Sequence, residues 1–338
     1  MKKVLLGKIG NFYKANLHAH TVISDGEMTP EEAKAEYQKR GYQILAYTDH
    51  EVLVPHNDLT DENFLAITSY EVVVNEYVEG APFPFVYTCH LNFLSKDKNK
   101  TVSPCFSEKN IWLEKSKAYI SEDAKKVAYP IRYDVDVLND MIKKGNENGF
   151  LVTLNHPAWS MQTYKDYAPL KGLWGVEVYN GVCDYTGFSE TETPYVDLLN
   201  LGNAVVPIAA DDTHWKHAAY FGWSMIEADA LTYEKVFDAM EKGNIYSSTG
   251  PSIYEISIDG AKLFVRCSKA SEVRLNTELR WTKVVHGEQM TQAEIDLTGY
   301  FNLKKQYPAR VKPYIRITVE DEKGNRAWSR AYYEDEYV

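Results

Sequence analysis

The stretch "TPEEAKAEYQKRGYQILAYTDH", residues 29 to 50, decides how the chain folds. Thr29 supplies an N-cap oxygen, Pro30 fits the first turn, Glu31 and Glu32 sit at the positive end of the helix, and Gly41 stops it. "YQILAYT" then reads as a short buried strand that hands over to a polar pair, Asp49 and His50. The same unit recurs: "VDVLNDMIKKGNENG" leads into "FLVTLN", "PYVDLLNLGN" into "AVVPIAA", and "YEKVFDAMEKGN" into "IYSST". Repeated helix-then-strand units predict a parallel sheet with covering helices. Residues 70 to 94, "YEVVVNEYVEGAPFPFVYTCHLNFL", read instead as two strands joined by a Gly/Pro loop. Residues 107 to 129, "SEKNIWLEKSKAYISEDAKKVAY", read as a solvated helical insertion.

After "SSTGPSIY" the texture changes. "YEISIDGAKLFVRC" is a strand, an Asp-Gly turn and a second strand, and "EVRLNTE", "AEIDLT" and "YIRITVEDEKGNRAWSRAYY" continue in that manner. The expected division is an α/β domain over residues 1–252 and a small all-β, Ig-like sandwich over residues 253–338. Trp281 and Trp328 are expected to pack the sandwich core; sugar binding there is the alternative.

Acidic residues outnumber basic ones, 48 to 37, for a formal charge of -11. Such a surface has no general affinity for a nucleic-acid backbone or an anionic membrane, so neither is expected as a partner. Cys89, Cys105, Cys183 and Cys267 form no Cys-x-x-Cys pair, which argues against a zinc knuckle or a disulfide framework. The opening "MKKVLLGKIGNFYK" breaks its apolar run too early for a secretory core, and no later stretch approaches a membrane span. A cytoplasmic location is expected, and the oligomeric state stays open.

The polar residues that follow each apolar run carry the chemistry. "ANLHAH" ends in His18 and His20, "ILAYTDH" in Asp49 and His50, "LVTLNHP" in Asn155 and His156, and "VVPIAADDTH" in Asp211, Asp212 and His214. "AITSYE" delivers Glu71 and "FVYTCH" delivers His90. In parallel α/β barrels the strand C-termini share one mouth, so these groups are expected to meet there. Imidazole and carboxylate together suit zinc, manganese or iron, and six of the nine histidines fall at these positions. His18 and His20, two apart on an extended segment, point the same way and grip one ion. Singly, each motif has an ordinary reading as a core pair or a turn cap; six together argue for a metal site.

The ordered motifs "NLHAHTVISDGEMTPEE", "YTDHE", "NHP" and "DDTH" resemble the polymerase-and-histidinol-phosphatase (PHP) family of metal-dependent phosphoesterases, over about residues 11 to 250. The resemblance implies a distorted, TIM-like barrel of seven βα units and two or three divalent ions. Carried over by position, it puts a first ion on His18, His20, Glu71 and Asp212. Glu71 then bridges to a second ion on His90 and His156, and Asp25, His50 and His214 hold a third. Many members have histidine where this chain has Asp25. The implied reaction is hydrolysis of a small-molecule or nucleotide phosphomonoester by a metal-bound hydroxide. Asp49, His50 and His214 are the expected proton relay, with Asp49 also able to orient a neighbour. Asn180, Lys216, His217 and Arg132 are the substrate-contact candidates, each with a plain alternative as a turn cap or an exposed loop residue. Two further functions stand beside this one: metal-dependent hydrolysis of a non-phosphate C–N bond, and a catalytically silent metal-containing binding protein.

Overall fold

The computed structural model describes residues 2–80, 86–307 and 309–338. Strands β1 (Lys3–Leu6) and β2 (Phe12–Asn16) precede helix α1 (Pro30–Gln38). As the sequence predicts, Thr29 closes a capping box: its hydroxyl accepts from the Glu32 N–H at 3.2 Å, and the Glu32 carboxylate accepts from the Thr29 N–H at 3.0 Å. Strands β3 (Ile44–Tyr47), β4 (Leu65–Asn75) and β5 (Thr88–Ser95) follow. Next come α2 (Val135–Glu147), β6 (Phe150–Asn155), α3 (Tyr164–Tyr167), β7 (Gly175–Asn180) and α4 (Gly181–Tyr185). Helix α5 (Thr193–Asn200), β8 (Val206–Ala210), β9 (Trp223–Glu227), α6 (Tyr233–Glu241) and β10 (Ile245–Ser248) complete this part.

The sheet is mixed: the helix-then-strand units give parallel pairs, and residues 70–94, read as two strands joined by a loop, give the antiparallel exception. Strands β2, β3 and β4 pair in parallel, and so do β6, β7 and β8. Between them β5 runs antiparallel to both β4 and β6. The cause is the connection: only residues 76–87 separate β4 from β5, and the described ones include no crossover helix of the kind a parallel pair uses. The tip of that Gly/Pro loop, residues 81–85, lies outside the described residues. Strand β9 is antiparallel to β2 and to β10. Beyond the end of β2, an isolated parallel bridge links Ala19 to Thr213, just past β8. There the His18 carbonyl accepts from the Asp212 N–H at 2.9 Å, and the Thr213 carbonyl from the His20 N–H at 3.0 Å. The run from β2 to β8 thereby returns on itself at the edge where the polar motifs lie.

Residues 107–129 form three short 3₁₀ turns, Glu108–Asn110, Glu114–Tyr119 and Ala124–Lys126, in place of the expected helix. Their anchors, Phe106, Ile111 and Ala124, are buried against Ile23 and Val52 and follow no helical period. Ion pairs Lys117–Glu114 at 2.7 Å and Lys125–Glu122 at 2.6 Å use the eclipsed i, i+3 spacing of a 3₁₀ turn.

The remaining strands are β11 (Ile253–Asp259), β12 (Lys262–Thr277), β13 (Thr282–Asp296), β14 (Tyr314–Glu320), β15 (Arg326–Ser329) and β16 (Tyr332–Tyr333). Helices α7 (Thr298–Gln306) and α8 (Glu334–Tyr337) accompany them. All the pairings among these strands are antiparallel, and the turn between β11 and β12 uses Gly260 at φ +58°. Ile256, Val265, Leu275 and Ile317 form their core. Trp281, half-buried, packs against this core with its ring 5.7 Å from that of Tyr300, as expected, whereas Trp328 is buried in the cluster that includes Val176 and Tyr195 and not in the sandwich core, which corrects the expectation for it. Hydrogen bonding does not pause at residue 252: β1 pairs with β11, and β10 pairs with β15. No helix among the described residues is long and apolar enough to cross a membrane.

Candidate metal centre

At the closing edge the predicted motifs meet. His18 and His20 flank the Ala19 bridge in extended backbone, so their rings project to the same side and their Nε2 atoms lie 3.2 Å apart. Glu71 arrives from inside β4, and His50 beside it through a parallel bridge between their backbones. His90 sits near the start of β5, whose reversed direction brings its N-terminal end to the mouth. Asp212 and His156 hold left-handed backbone, φ +54° and +27°. Non-glycine residues persist there only where the surroundings over-determine them.

Three sets of ligand atoms each lie within 4.8 Å of one another: His18, His20, Glu71 and Asp212; Glu71, His90 and His156; and His20, Asp25, His50 and His214. All nine residues singled out for metal are therefore in one place, and His20 joins the third set as well as the first. Glu71 Oε1 is 3.2 Å from His18 Nε2, 3.2 Å from His90 Nδ1 and 3.4 Å from His156 Nε2. Its other oxygen, Oε2, is 3.1 Å from His50 Nδ1 and 3.4 Å from His20 Nε2. Asp25 Oδ2 stands 3.3 Å from His214 Nε2 and 3.5 Å from His50 Nε2.

The donor set fits divalent cations on geometry. His50 Nδ1, Glu71 Oε2 and Asp212 Oδ1 are buried without a hydrogen-bond partner, although each is close to another ligand atom. Their lone pairs converge on shared points instead of meeting an N–H, and buried polar atoms are rarely left so.

Charge around the cluster is strongly coupled. Burial opposes a charged His18, yet Asp212, Glu71 and Glu177 raise its proton affinity well above the ordinary imidazole value. His50 is raised likewise, burial being outweighed by Asp25 and Glu71. Burial works against the carboxylate of Glu71, but His18, His90 and His156 hold it well below the usual range. Asp25 and Asp212 are also held well below it, by His214 and His50 and by His18 and His214 respectively, against their burial. His90 goes the other way, pushed down to about 4, chiefly by burial. The cavity above demands positive charge, and protons or metal ions are the means at hand.

The supporting shell contains residues the sequence reading missed. Glu177, within β7, accepts from three donors at 2.8 Å: His18 Nδ1, the His156 N–H and the Asn180 side chain. This pins the His18 tautomer and leaves its Nε2 lone pair free for a cation. Asn155, already singled out at its strand end, donates to Glu71 Oε1 at 2.7 Å. Glu190 accepts from the Ala158 and Trp159 N–H groups, both at 3.0 Å, and so fixes the loop that carries His156. The available signal was a lone acid inside the apolar strand "GVEVYN", where a charge needs partners.

Other expected roles shift. Asp49 accepts four hydrogen bonds of 2.7 to 3.1 Å from the backbone and hydroxyls of Thr21 and Ser24, and it does not line the cavity. It holds the 20–25 loop in place from outside the cavity. Asn180 is fully enclosed; it caps α4 and touches Glu177 and Asp212 at 2.8 and 3.3 Å, away from the cavity wall. Lys216 turns toward Glu32, and the His217 ring stacks on Trp215, so neither lines the cavity. Arg132 does line it, and so do His50 and His214.

No family model matches the sequence, and no curated protein matches it. Among solved structures, the chain is similar to a two-domain Bacteroides vulgatus protein described as containing a predicted PHP-like metal-dependent phosphoesterase. That pair shows 12% identity, 98% coverage of both chains and a TM-score of 0.44. An amidohydrolase from Chromobacterium violaceum, with bound sulfate and no metal, shares 14% identity over 68% of this chain and 96% of its own, with a TM-score of 0.42. A lesion-specific endonuclease from Pyrococcus furiosus shares 15% identity over 68% of this chain and 56% of its own, also at 0.42.

Proposed function

We propose that this chain is a PHP-type metal-dependent phosphoesterase, a hydrolase of phosphate esters and most directly of small phosphomonoesters. On this reading residues 1–252 are the distorted seven-unit barrel that carries the chemistry, and residues 253–338 an appended Ig-like sandwich. The observation that carries it is the convergence of three ligand sets with orphaned buried atoms in a single cup. Two or three divalent ions, zinc, manganese or iron, fit those sets as the motif resemblance assigns them. Bound there, such ions supply an acidified water and neutralise phosphate oxygens.

The chain's own residues do the rest. Glu177 and Asn155 orient His18 and Glu71, while Asp49 and Glu190 fix the loops bearing Asp25 and His156. Arg132 offers a positive group to an anionic substrate. His50 and His214, facing the cavity, are the groups in place to return a proton to the leaving oxygen.

A chelator-stripped preparation should lose hydrolysis of phenyl phosphate and recover it with manganese or zinc, while His18→Ala or Asp212→Ala recovers nothing. Activity that survives stripping sinks the reading. Turnover of an amide panel with no phosphate-ester turnover in the fully loaded protein would move the assignment to C–N hydrolysis. Silence on both would leave a binding protein.

A further inference from the structure

The cluster lies at the floor of a cavity of about 690 Å³, a size that encloses a small organic ligand. Three tryptophans stand in its wall, each against a different part of the imidazole set. Trp112 is 5.8 Å from His50, Trp159 is 5.0 Å from His156, and Trp215 is 6.0 Å from His214, ring centroid to centroid. They are 58%, 38% and 41% exposed. Core packing does not explain large aromatics left that open around one opening.

Two cations share the wall, Lys109 and Arg132. Among the described residues neither is engaged in an ion pair, on a chain whose net charge is -11. Of the other lysines on the same insertion, Lys117, Lys125 and Lys126 are each paired with an acid three residues away, while Lys115 is unpaired among the described residues. Lys109 and Trp112 belong to the 3₁₀ insertion, and Arg132 follows just after it, in a segment that supplies nothing to the ligand sets. Aromatic faces bind rings, and free cations at a cavity mouth bind anions.

Building on the phosphoesterase reading, we propose that the site selects phosphate esters whose organic part is a ring bearing a second anionic group. The tryptophans hold the ring, and Lys109 and Arg132 hold the second anion while the ester phosphate sits over the metal-binding floor. The 107–132 segment is thus the selecting wall of the cavity.

The test uses three probes on the metal-loaded full chain: ethyl phosphate, phenyl phosphate and 4-carboxyphenyl phosphate. The last two differ only in the added carboxylate. Intact protein should favour the carboxyphenyl ester over the phenyl ester by about tenfold in kcat/KM, the scale of one charge-assisted contact. Lys109→Gln with Arg132→Gln should shrink that preference about tenfold, and Trp112→Ala should raise KM for both aryl esters more than for ethyl phosphate. No preference in the intact protein, or equal losses on both aryl esters, overturns the inference. Should none of the three esters be hydrolysed, the phosphoesterase reading fails on its own. The selection still stands or falls by binding, read as tryptophan quenching: the carboxyphenyl ester must bind about tenfold tighter than the phenyl ester, and the double variant must lose that margin.

Discussion

Consider Glu177→Gln. The carboxylate accepts from His18 Nδ1 at one oxygen, and from the His156 N–H and the Asn180 amide at the other, all at 2.8 Å. A glutamine keeps one acceptor and gains a donor. If its carbonyl stays with the two donors at His156 and Asn180, its NH₂ faces His18 Nδ1. The imidazole must then move its proton to Nε2, the atom 3.2 Å from both Glu71 and Asp212, and so lose the lone pair intended for the cation. Replacing such an orienting partner costs about 10- to 100-fold in metal affinity, or roughly 1.4 to 2.7 kcal/mol. Competition with a chromogenic chelator at fixed pH reads the affinity, and circular dichroism verifies the fold. A folded Glu177→Gln protein that binds zinc within twofold of the parent refutes the orienting argument.

Other outcomes follow from the same geometry. Asp49→Ala strips four hydrogen bonds from the buried Thr21 and Ser24 groups and should cost about 2 to 4 kcal/mol in urea unfolding; a change under 1 kcal/mol contradicts the anchoring role. Gly26→Ala would set a Cβ 2.4 Å from the His20 carbonyl, so the backbone must shift. Metal analysis should then show the Asp25 set emptied first, and full stoichiometry in the variant rules this out. Burial lifts Glu190 from its ordinary 4.5 to about 7, so the folded state keeps a proton that the unfolded chain has released. Stability from this group is therefore full below pH 4.5, falls by roughly 3 kcal/mol as pH rises from there through 7, and levels off above it. Glu190→Gln should flatten that slope between denaturation midpoints at pH 5 and pH 8, and an unaltered slope speaks against it.

Much of the site was legible because its ligands end apolar runs, and a strand that stops at a polar residue announces which edge it serves. His18, His50, His156 and Asp212 all fit that pattern. His90 was found with its strand direction unknown, since alternation along a strand carries no arrow; only the 76–87 connection makes β5 run backwards. Glu177 escaped because its value depends on a histidine 159 positions away, a distance at which sequence offers no cue. Asn180, the substrate-contact candidate at the end of β7, has its amide consumed by Glu177, Asp212 and a helix cap. The Thr29 cap and the Gly260 hairpin are local and came through intact. Pairing of β1 with β11 joins Lys3 to Ile258, far apart in the sequence, and had no local signature.

That last pairing bears on how the chain can be taken apart. A fragment cut at residue 252 would strand β1 without β11 and bare the side of β10 that β15 occupies. Both would become open hydrogen-bonding rims, the kind that recruit other chains into aggregates. Dissecting the molecule for expression therefore calls for retaining the C-terminal strands or charging those rims first.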